Sequence, residues 1–223
     1  LMLQRKHKIA GGVIAVLVIL GTLAVHVAGN KAAGFVSEMA DKQTVLQGKL
    51  QIGHFSASVS GNVVFENVVW TAPDGKKLAE VPEMNVSANL FDILKGSFGI
   101  NSINSISIEK PQFAVNYTDK DGLDIINYIN FSDKDDETPT EFRGMVEITD
   151  GALALDMNGQ KLDFSNVEMQ ANLKEFPDIK FTLQGKNGDA DLIGSIDKVY
   201  DDVTIGAEVK NLQITELMKV LPS

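Results

Sequence analysis

The sequence predicts a mainly β protein, in which an N-terminal transmembrane helix precedes a curved antiparallel sheet. We expect that sheet to be open and groove-like, built from repeats and accompanied by a few short helices. Three observations predict this class. Ile9 to Ala28 is an uncharged, almost wholly apolar run of twenty residues. Beyond residue 50, apolar and polar residues alternate in many segments, and glycine-containing turns separate these segments. Alternation with a period of two is typical of strands with one dry and one wet face.

The apolar run is long enough, as a helix, to cross the roughly 30 Å of hydrocarbon in a bilayer. Arg5, Lys6 and Lys8 precede it and Lys31 alone follows, so the positive charges predict a cytoplasmic N-terminus and export of the remaining chain. A cleavable leader is the alternative, but its apolar core usually has about 7 to 15 residues and ends at a small-residue site. Val25 to Ala28 matches that site poorly. We therefore expect an uncleaved, single-pass anchor.

Charge and cysteine content restrict the partners of the exported part. The formal net charge is −10, and residues 1–30 hold three cations and no acid, which leaves −13 on residues 31–223. Such a surface repels nucleic acid and anionic headgroups, so we expect no nucleic-acid partner and only apolar contact with lipid. The chain has no cysteine. Its stability must come from burial and strand pairing, since disulfides are excluded.

Alternating segments predict an antiparallel sheet that is apolar on one side. From Met84 to Leu90 every even-numbered residue is apolar and every odd-numbered one is polar. Turn residues at Pro73 to Lys76, Asn158-Gly159 and Asn187-Gly188 predict hairpins, and hence a meander of sequential strands. Further alternating sets are Phe113, Val115 and Tyr117; Val167, Met169, Ala171 and Leu173; Ile179, Phe181 and Leu183; and Val203, Ile205, Ala207 and Val209.

Two segments about 84 residues apart resemble each other and predict a repeat. Gly75 to Leu90 and Gly159 to Leu173 each contain a glycine turn and a strand that ends in Ala-Asn-Leu. We divide the chain into the cytoplasmic flank and anchor (1–30), a first β unit (31–131), an acidic loop (132–141) and a second β unit (142–223) that continues in a longer native chain if the array extends. Short helices are expected over Ala32 to Leu46, Phe91 to Lys95, Leu123 to Asn130 and Thr215 to Leu221.

Catalytic motifs are missing from the sequence. His54 is the only histidine beyond the anchor, and the chain has no nucleophile elbow, zinc-protease motif or phosphate loop. Asp119 to Asp124 suggests a calcium loop, but its glycine is fourth where such a loop needs it sixth, so we predict a turn before a helix. Trp70 is either core or an aromatic contact for an acyl chain, and we favour core. We expect no enzyme, cofactor or bound metal.

Several segments together resemble the N-terminal region of AsmA-like proteins, the family that includes the TamB branch of the translocation and assembly module. The resemblance covers Ile9 to Asn130, with Asp124 where the family usually has asparagine. It implies a bacterial inner-membrane anchor, a periplasmic β-groove and a role in envelope lipid homeostasis as a bridge-like phospholipid conduit. The segments that carry it, after the anchor, are Gly53 to Ser56, Gly61 to Val68, Asp74 to Leu78, Asn89 to Gly96, Ile106 to Phe113 and Asp121 to Ile125.

The inward-facing sets are the candidate lining of such a groove, and plain core packing is their alternative interpretation. The groove predicts phospholipid and the inner membrane as partners. A closed β domain predicts instead a scaffold for other envelope proteins, for instance by strand addition at a sheet edge. The candidate lining residues are Met84, Val86, Ala88, Leu90, Phe113, Val115, Val167, Met169, Leu173, Phe181, Leu183, Val203 and Ile205.

Overall fold

The computed structural model describes residues 46–58, 60–95, 102–118, 120–129, 142–175, 178–199 and 202–210. They form eleven strands and two short helices. In chain order these are β1 (Lys49–Ala57), β2 (Asn62–Thr71), β3 (Lys77–Ala88), α1 (Leu90–Lys95), β4 (Ile103–Glu109), β5 (Gln112–Thr118), β6 (Gly122–Leu123), α2 (Asp124–Asn127), β7 (Met145–Met157), β8 (Gln160–Asn172), β9 (Lys180–Asn187), β10 (Ala190–Val199) and β11 (Asp202–Lys210).

All eleven strands belong to one mostly antiparallel sheet, with the order β1-β2-β3-β4-β7-β8-β9-β10-β11 and β5 in line with β4 between β3 and β7. The mainly β class is therefore confirmed. The strict meander is wrong at one place, because β4 and β5 both pair with β7 in parallel. Parallel neighbours need a crossover connection instead of a hairpin. The crossover contains β6 and α2, and it joins strands from both sides of the acidic loop into the same sheet.

Strands β4 and β5 act as one long strand that is interrupted at Lys110-Pro111. The register with β7 stays the same on both sides of the interruption, from Ser105↔Met145 to Tyr117↔Met157. The backbone N–H of Lys110 donates to the Thr149 carbonyl at 2.9 Å, and the Pro111 carbonyl accepts from the Ala152 N–H at 2.8 Å. The proline removes a single donor without ending the pairing.

The predicted hairpins are confirmed. Strands β2 and β3 connect through Gly75, β7 and β8 through Asn158-Gly159, and β9 and β10 through Gly188, and each of these turn residues has a positive φ. Both copies of the predicted repeat thus contain a hairpin. These turns use glycine or asparagine because other residues adopt a positive φ at a steric cost.

The structure confirms one of the four predicted short helices and shortens a second, and the other two lie outside the described residues. The prediction at Phe91 to Lys95 is confirmed by α1. The prediction over Leu123 to Asn130 is too long, because Leu123 pairs with Tyr117 as a strand and the helix holds only four residues. The apolar run, the acidic loop and the predicted helices at Ala32 and Thr215 lie outside the described residues. Among the described residues, no helix is long and apolar enough to span a bilayer.

The core lies on one face of the sheet. On β2 and β3, inward residues such as Phe65, Val68 and Met84 are at most 2% exposed, and they belong to a large cluster that reaches Met169 and Ala171 on β8. A second, smaller cluster contains Leu162, Phe164, Val167 and Leu192. Trp70 belongs to the large cluster, and its indole N–H donates to the Gln47 carbonyl at 2.9 Å, which confirms its prediction as core.

Six residues on neighbouring strand segments form a row across the sheet, which we call the crease. From Gly53 to Asp150, neighbouring members lie between the same pairs of hydrogen-bonded partners; for example, Ile52↔Val68 and His54↔Glu66 flank Gly53 and Asn67. Asn166 lies one pair further along, between Gly151↔Val167 and Leu153↔Phe164. Four members have left-handed backbones, with φ of 55° at Asn67, 51° at Lys110, 52° at Asp150 and 49° at Asn166. All six are exposed. The crease consists of Gly53, Asn67, Pro82, Lys110, Asp150 and Asn166.

The crease keeps the apolar face continuous while the strands bend. On β2 the buried residues are odd-numbered before the crease, at Val63 and Phe65, and even-numbered after it, at Val68 and Trp70. Each crossing places two successive residues outward, so the polar side of the strand is longer than the apolar side, and the strand bends toward the apolar side. The sequence Phe-x-Asn-Val marks the crossing on both β2 and β8.

We expect Asn67→Val to lower the free energy of unfolding by about 1–2 kcal/mol, because a β-branched residue pays the full cost of a left-handed backbone. Asn67→Gly, the matched control, removes the same side chain but accepts that backbone, so its stability should stay within about 0.5 kcal/mol of the wild type. Urea unfolding of both variants measures the difference. Equal stabilities of the two variants would show that the crease carries no backbone strain.

Candidate functional site: the apolar face

The structure places most of the predicted lining residues on the apolar face, but at different depths. Six are buried, with 0–7% exposure, and four are partly buried. Leu90 lies in α1, and Val203 and Ile205 lie in β11; their side chains are outside the description. The buried set is Met84, Val86, Ala88, Val115, Val167 and Met169, and the partly buried set is Phe113, Leu173, Phe181 and Leu183.

The crossover covers part of the large cluster. Ile125 of α2 and Ile129 after it are 3% and 5% exposed, and Leu46, which bridges to Ile129, is 3% exposed. All three belong to the large cluster together with Trp70 and Leu78. The apolar face is therefore closed where the crossover lies over β2, β3 and β5.

Polar contacts hold the crossover onto the turn between β2 and β3. The Lys76 ammonium lies 2.7 Å from one carboxylate oxygen of Asp124, and the other oxygen accepts from the Asn116 backbone N–H at 2.8 Å. The Tyr128 hydroxyl donates to the Asp74 carboxylate at 3.4 Å. Desolvation raises the pKa of Tyr128, and the negative charges of Asp74 and Asp124 raise this pKa further. Both oxygens of Asp124 are thus engaged by the protein.

Four partly buried side chains form what we call the open strip: Leu153, Leu155 and Met157 on β7, and Leu183 on β9. They pack around the second cluster and belong to the apolar face. Leu183 was predicted from the sequence as a lining residue, whereas the three residues of β7 were not. The alternation of Leu153, Leu155 and Met157 in the sequence indicates the same one-sided strand pattern.

The polar face offers a hydrated surface. A cavity of about 530 Å³ opens there at the ends of β1 to β4, and it is lined mainly by serine and asparagine side chains. Glu66, Glu83 and Glu109 lie directly opposite one another on adjacent strands, next to His54. Within the described ranges, no group of three or more histidine, aspartate and glutamate side chains is placed to hold a metal ion. The apolar face is therefore the candidate site.

Comparisons with protein-family models, with curated proteins and with solved structures find no match to this chain.

We expect Asp124→Ala to lower the free energy of unfolding by about 1–3 kcal/mol, because it removes the acceptor of both Lys76 and the Asn116 N–H at a site that is mostly shielded from water. The matched control is Glu80→Ala. Its carboxylate lies 2.6 Å from the Lys77 ammonium, but that pair is exposed, with 58% and 40% of the side chains accessible. The control should cost at most about 0.5 kcal/mol. Urea midpoints that fall equally in both variants would refute a holding role for Asp124.

Proposed function

We propose that this protein is a membrane-anchored periplasmic protein that handles phospholipid through its apolar sheet face and thereby contributes to lipid transport or homeostasis in a bacterial envelope. In this proposal residues 9–28 hold the chain in the inner membrane, the N-terminus is cytoplasmic, and the sheet lies on the periplasmic side. The protein needs no cofactor and carries out no covalent chemistry. The resemblance to AsmA-like proteins points to the same role.

The open strip is the observation that carries this proposal. Leu153, Leu155 and Met157 alternate along β7, Leu183 lies on β9, and all four pack against the second cluster and remain partly accessible. Contiguous apolar surface that stays accessible commonly marks a site of interaction. Each methylene group exposed to water costs about 0.8 kcal/mol, so an acyl chain of about sixteen carbons gains on the order of 10 kcal/mol when an apolar surface shields it. Such a surface lowers the barrier to lipid movement without a reaction.

The position of the strip suits a lipid that comes from the anchored membrane. The chain enters the sheet at Leu46 and Gln47, next to the end of β2 at Thr71. Strand β5 pairs with β3 in antiparallel orientation and with β7 in parallel orientation. The turn between β7 and β8 therefore lies at this same end of the sheet. Met157 is the last residue of β7 before that turn. The described residues therefore begin at the end of the sheet where the strip terminates.

A scaffold with a closed β domain is the second candidate, and one observation favours it. Met84 and Ile106 are 0% exposed and Val86 is 1% exposed, so the apolar face of β3 and β4 is closed. Within the described part of the chain, β1 and β11 each pair on one side only, which leaves an edge that a partner strand can extend. This candidate predicts contact with proteins instead of lipid.

A photo-crosslinking amino acid at Leu155 separates the two candidates in membranes that contain the full chain. We expect adducts with phospholipid from position 155, because Leu155 belongs to the open strip. The matched control is Ala154, the neighbour on the opposite face, which is exposed. It should give no lipid adduct above background. Mass spectrometry of the adducts decides: protein adducts alone, or equal lipid labelling at both positions, would contradict the lipid proposal.

Two charged substitutions test which side chains of the apolar face are closed off from water and which remain accessible. We expect Met84→Lys to destabilise the fold by at least about 3 kcal/mol, because it places an unpaired charge at a fully buried position. Leu155→Lys should fold, since its longer side chain can bring the ammonium to water, and it should lose the lipid adducts that a crosslinker at Leu183 forms. Circular dichroism and adduct yield measure the two effects. A Leu155→Lys variant that unfolds as readily as Met84→Lys would place the strip in a closed core.

A further inference from the structure

One polar side chain lies on the apolar face at the end of the open strip. Gln160 is the first residue of β8, and the alternation of that strand places it on the same side as Leu162 and Phe164, which are each 1% exposed. The Gln160 Nε2 atom is buried, and it has no hydrogen-bond partner among the described residues. A buried amide donor without an acceptor destabilises the protein that contains it.

Gln160 lies beside the open strip and the turn between β7 and β8. Gln160 pairs with Met157 of the open strip, and Met157 pairs with Tyr117 on β5. The turn that joins Met157 to Gln160 uses its own polar groups elsewhere: the Asn158 N–H donates to the Tyr117 carbonyl at 2.9 Å, and the Gly159 N–H donates to the Asp156 carboxylate at 2.8 Å. The amide thus stands at the end of an apolar surface, without a partner of its own.

We propose that the Gln160 amide donates a hydrogen bond to the acyl carbonyl of a ligand whose hydrocarbon chain lies along the open strip. This inference rests on the proposed function and adds to it the residue that orients the ligand. An N–H donor selects a group with an acceptor oxygen, which both an ester and a free carboxylate provide. The donor is at one end of the strip, so the chain has a single favourable direction on it, with the carbonyl toward the turn and the methyl end toward Leu153.

A replacement by methionine separates a ligand contact from a structural one. Gln160→Met keeps the length of the side chain and removes the unpaired donor, so we expect the variant to unfold at an equal or higher urea concentration than the wild type. A glutamine that supports the fold would give the opposite result. Gln170→Met is the matched control, because Gln170 is exposed on the polar face of the same strand.

Binding is measured on the full chain in amphipol, by competition with a photoactivatable twelve-carbon fatty acid whose adducts on β7 and β9 are counted by mass spectrometry. The competitors are dodecanoate, methyl dodecanoate and dodecyltrimethylammonium, of which only the last has neither donor nor acceptor. Partition into amphipol is the same for every variant, so variant-to-wild-type ratios report the site. We expect Gln160→Met to weaken competition by methyl dodecanoate about tenfold. Competition by dodecyltrimethylammonium should stay unchanged. Competition by dodecanoate should weaken as much as that by the ester if the site recognises the carbonyl alone.

The outcomes distinguish this inference from the function on which it rests. If all three competitors bind the wild type and Gln160→Met changes none of them, or weakens all of them equally, the carbonyl contact is wrong and the strip still binds apolar chains. If no competitor displaces the probe from the wild type, or if the probe labels no strip residue, the proposed function fails together with the inference. Weakening by Gln170→Met to the same extent would also overturn the contact.

Discussion

The burial of one face of a single sheet is the constraint on which the rest of this structure depends. Eleven strands pair in this sheet, their described apolar side chains lie mostly on one side, and the described helices are too short to cover them. A flat sheet of this width would leave that face in water, which is unfavourable in proportion to the exposed apolar area. The crease bends the strands that it crosses, which are β1 to β3, the continuous pair β4 and β5, β7 and β8, toward the apolar side. Burial of Phe65 and Met84 therefore depends on residues, such as Asn67, that lie on the opposite face.

The apolar face contains fully buried side chains and partly accessible ones. The closed part lies where the crossover adds Ile125 and Ile129 over β2, β3 and β5. The open strip on β7 and β9 is partly accessible, and Leu153, Leu155 and Leu183 pack against the large cluster as well as the second one. This division matters for function because only accessible apolar surface can exchange a ligand.

Polar groups near the apolar face serve different purposes according to whether they have partners. Asp124 has two protein donors, and it fixes the crossover. The Trp70 indole has the Gln47 carbonyl, and its burial is therefore inexpensive. Gln160 alone combines a place on this face with a buried donor that no described residue satisfies. We propose a ligand with an acceptor oxygen as the partner of this donor.

The sequence predicted the strands, their wet and dry faces and their hairpins, because alternation and turn residues are local properties of the chain. Met84, Val86, Val115 and Met169 were therefore assigned to the correct face. The sequence did not predict the parallel pairing of β4 and β5 with β7. That pairing depends on where the crossover places β7 relative to strands that are distant from it along the chain.

The depth of each side chain was also decided by the tertiary structure. Met84 and Leu183 both occupy apolar positions of alternating segments in the sequence. Met84 is nevertheless fully buried, whereas Leu183 is partly accessible. The sequence by itself determined a one-sided sheet. Only the folded chain decided which part of its apolar side is closed, because burial depends on the neighbours that the bend and the crossover bring together, and these neighbours are far apart along the chain.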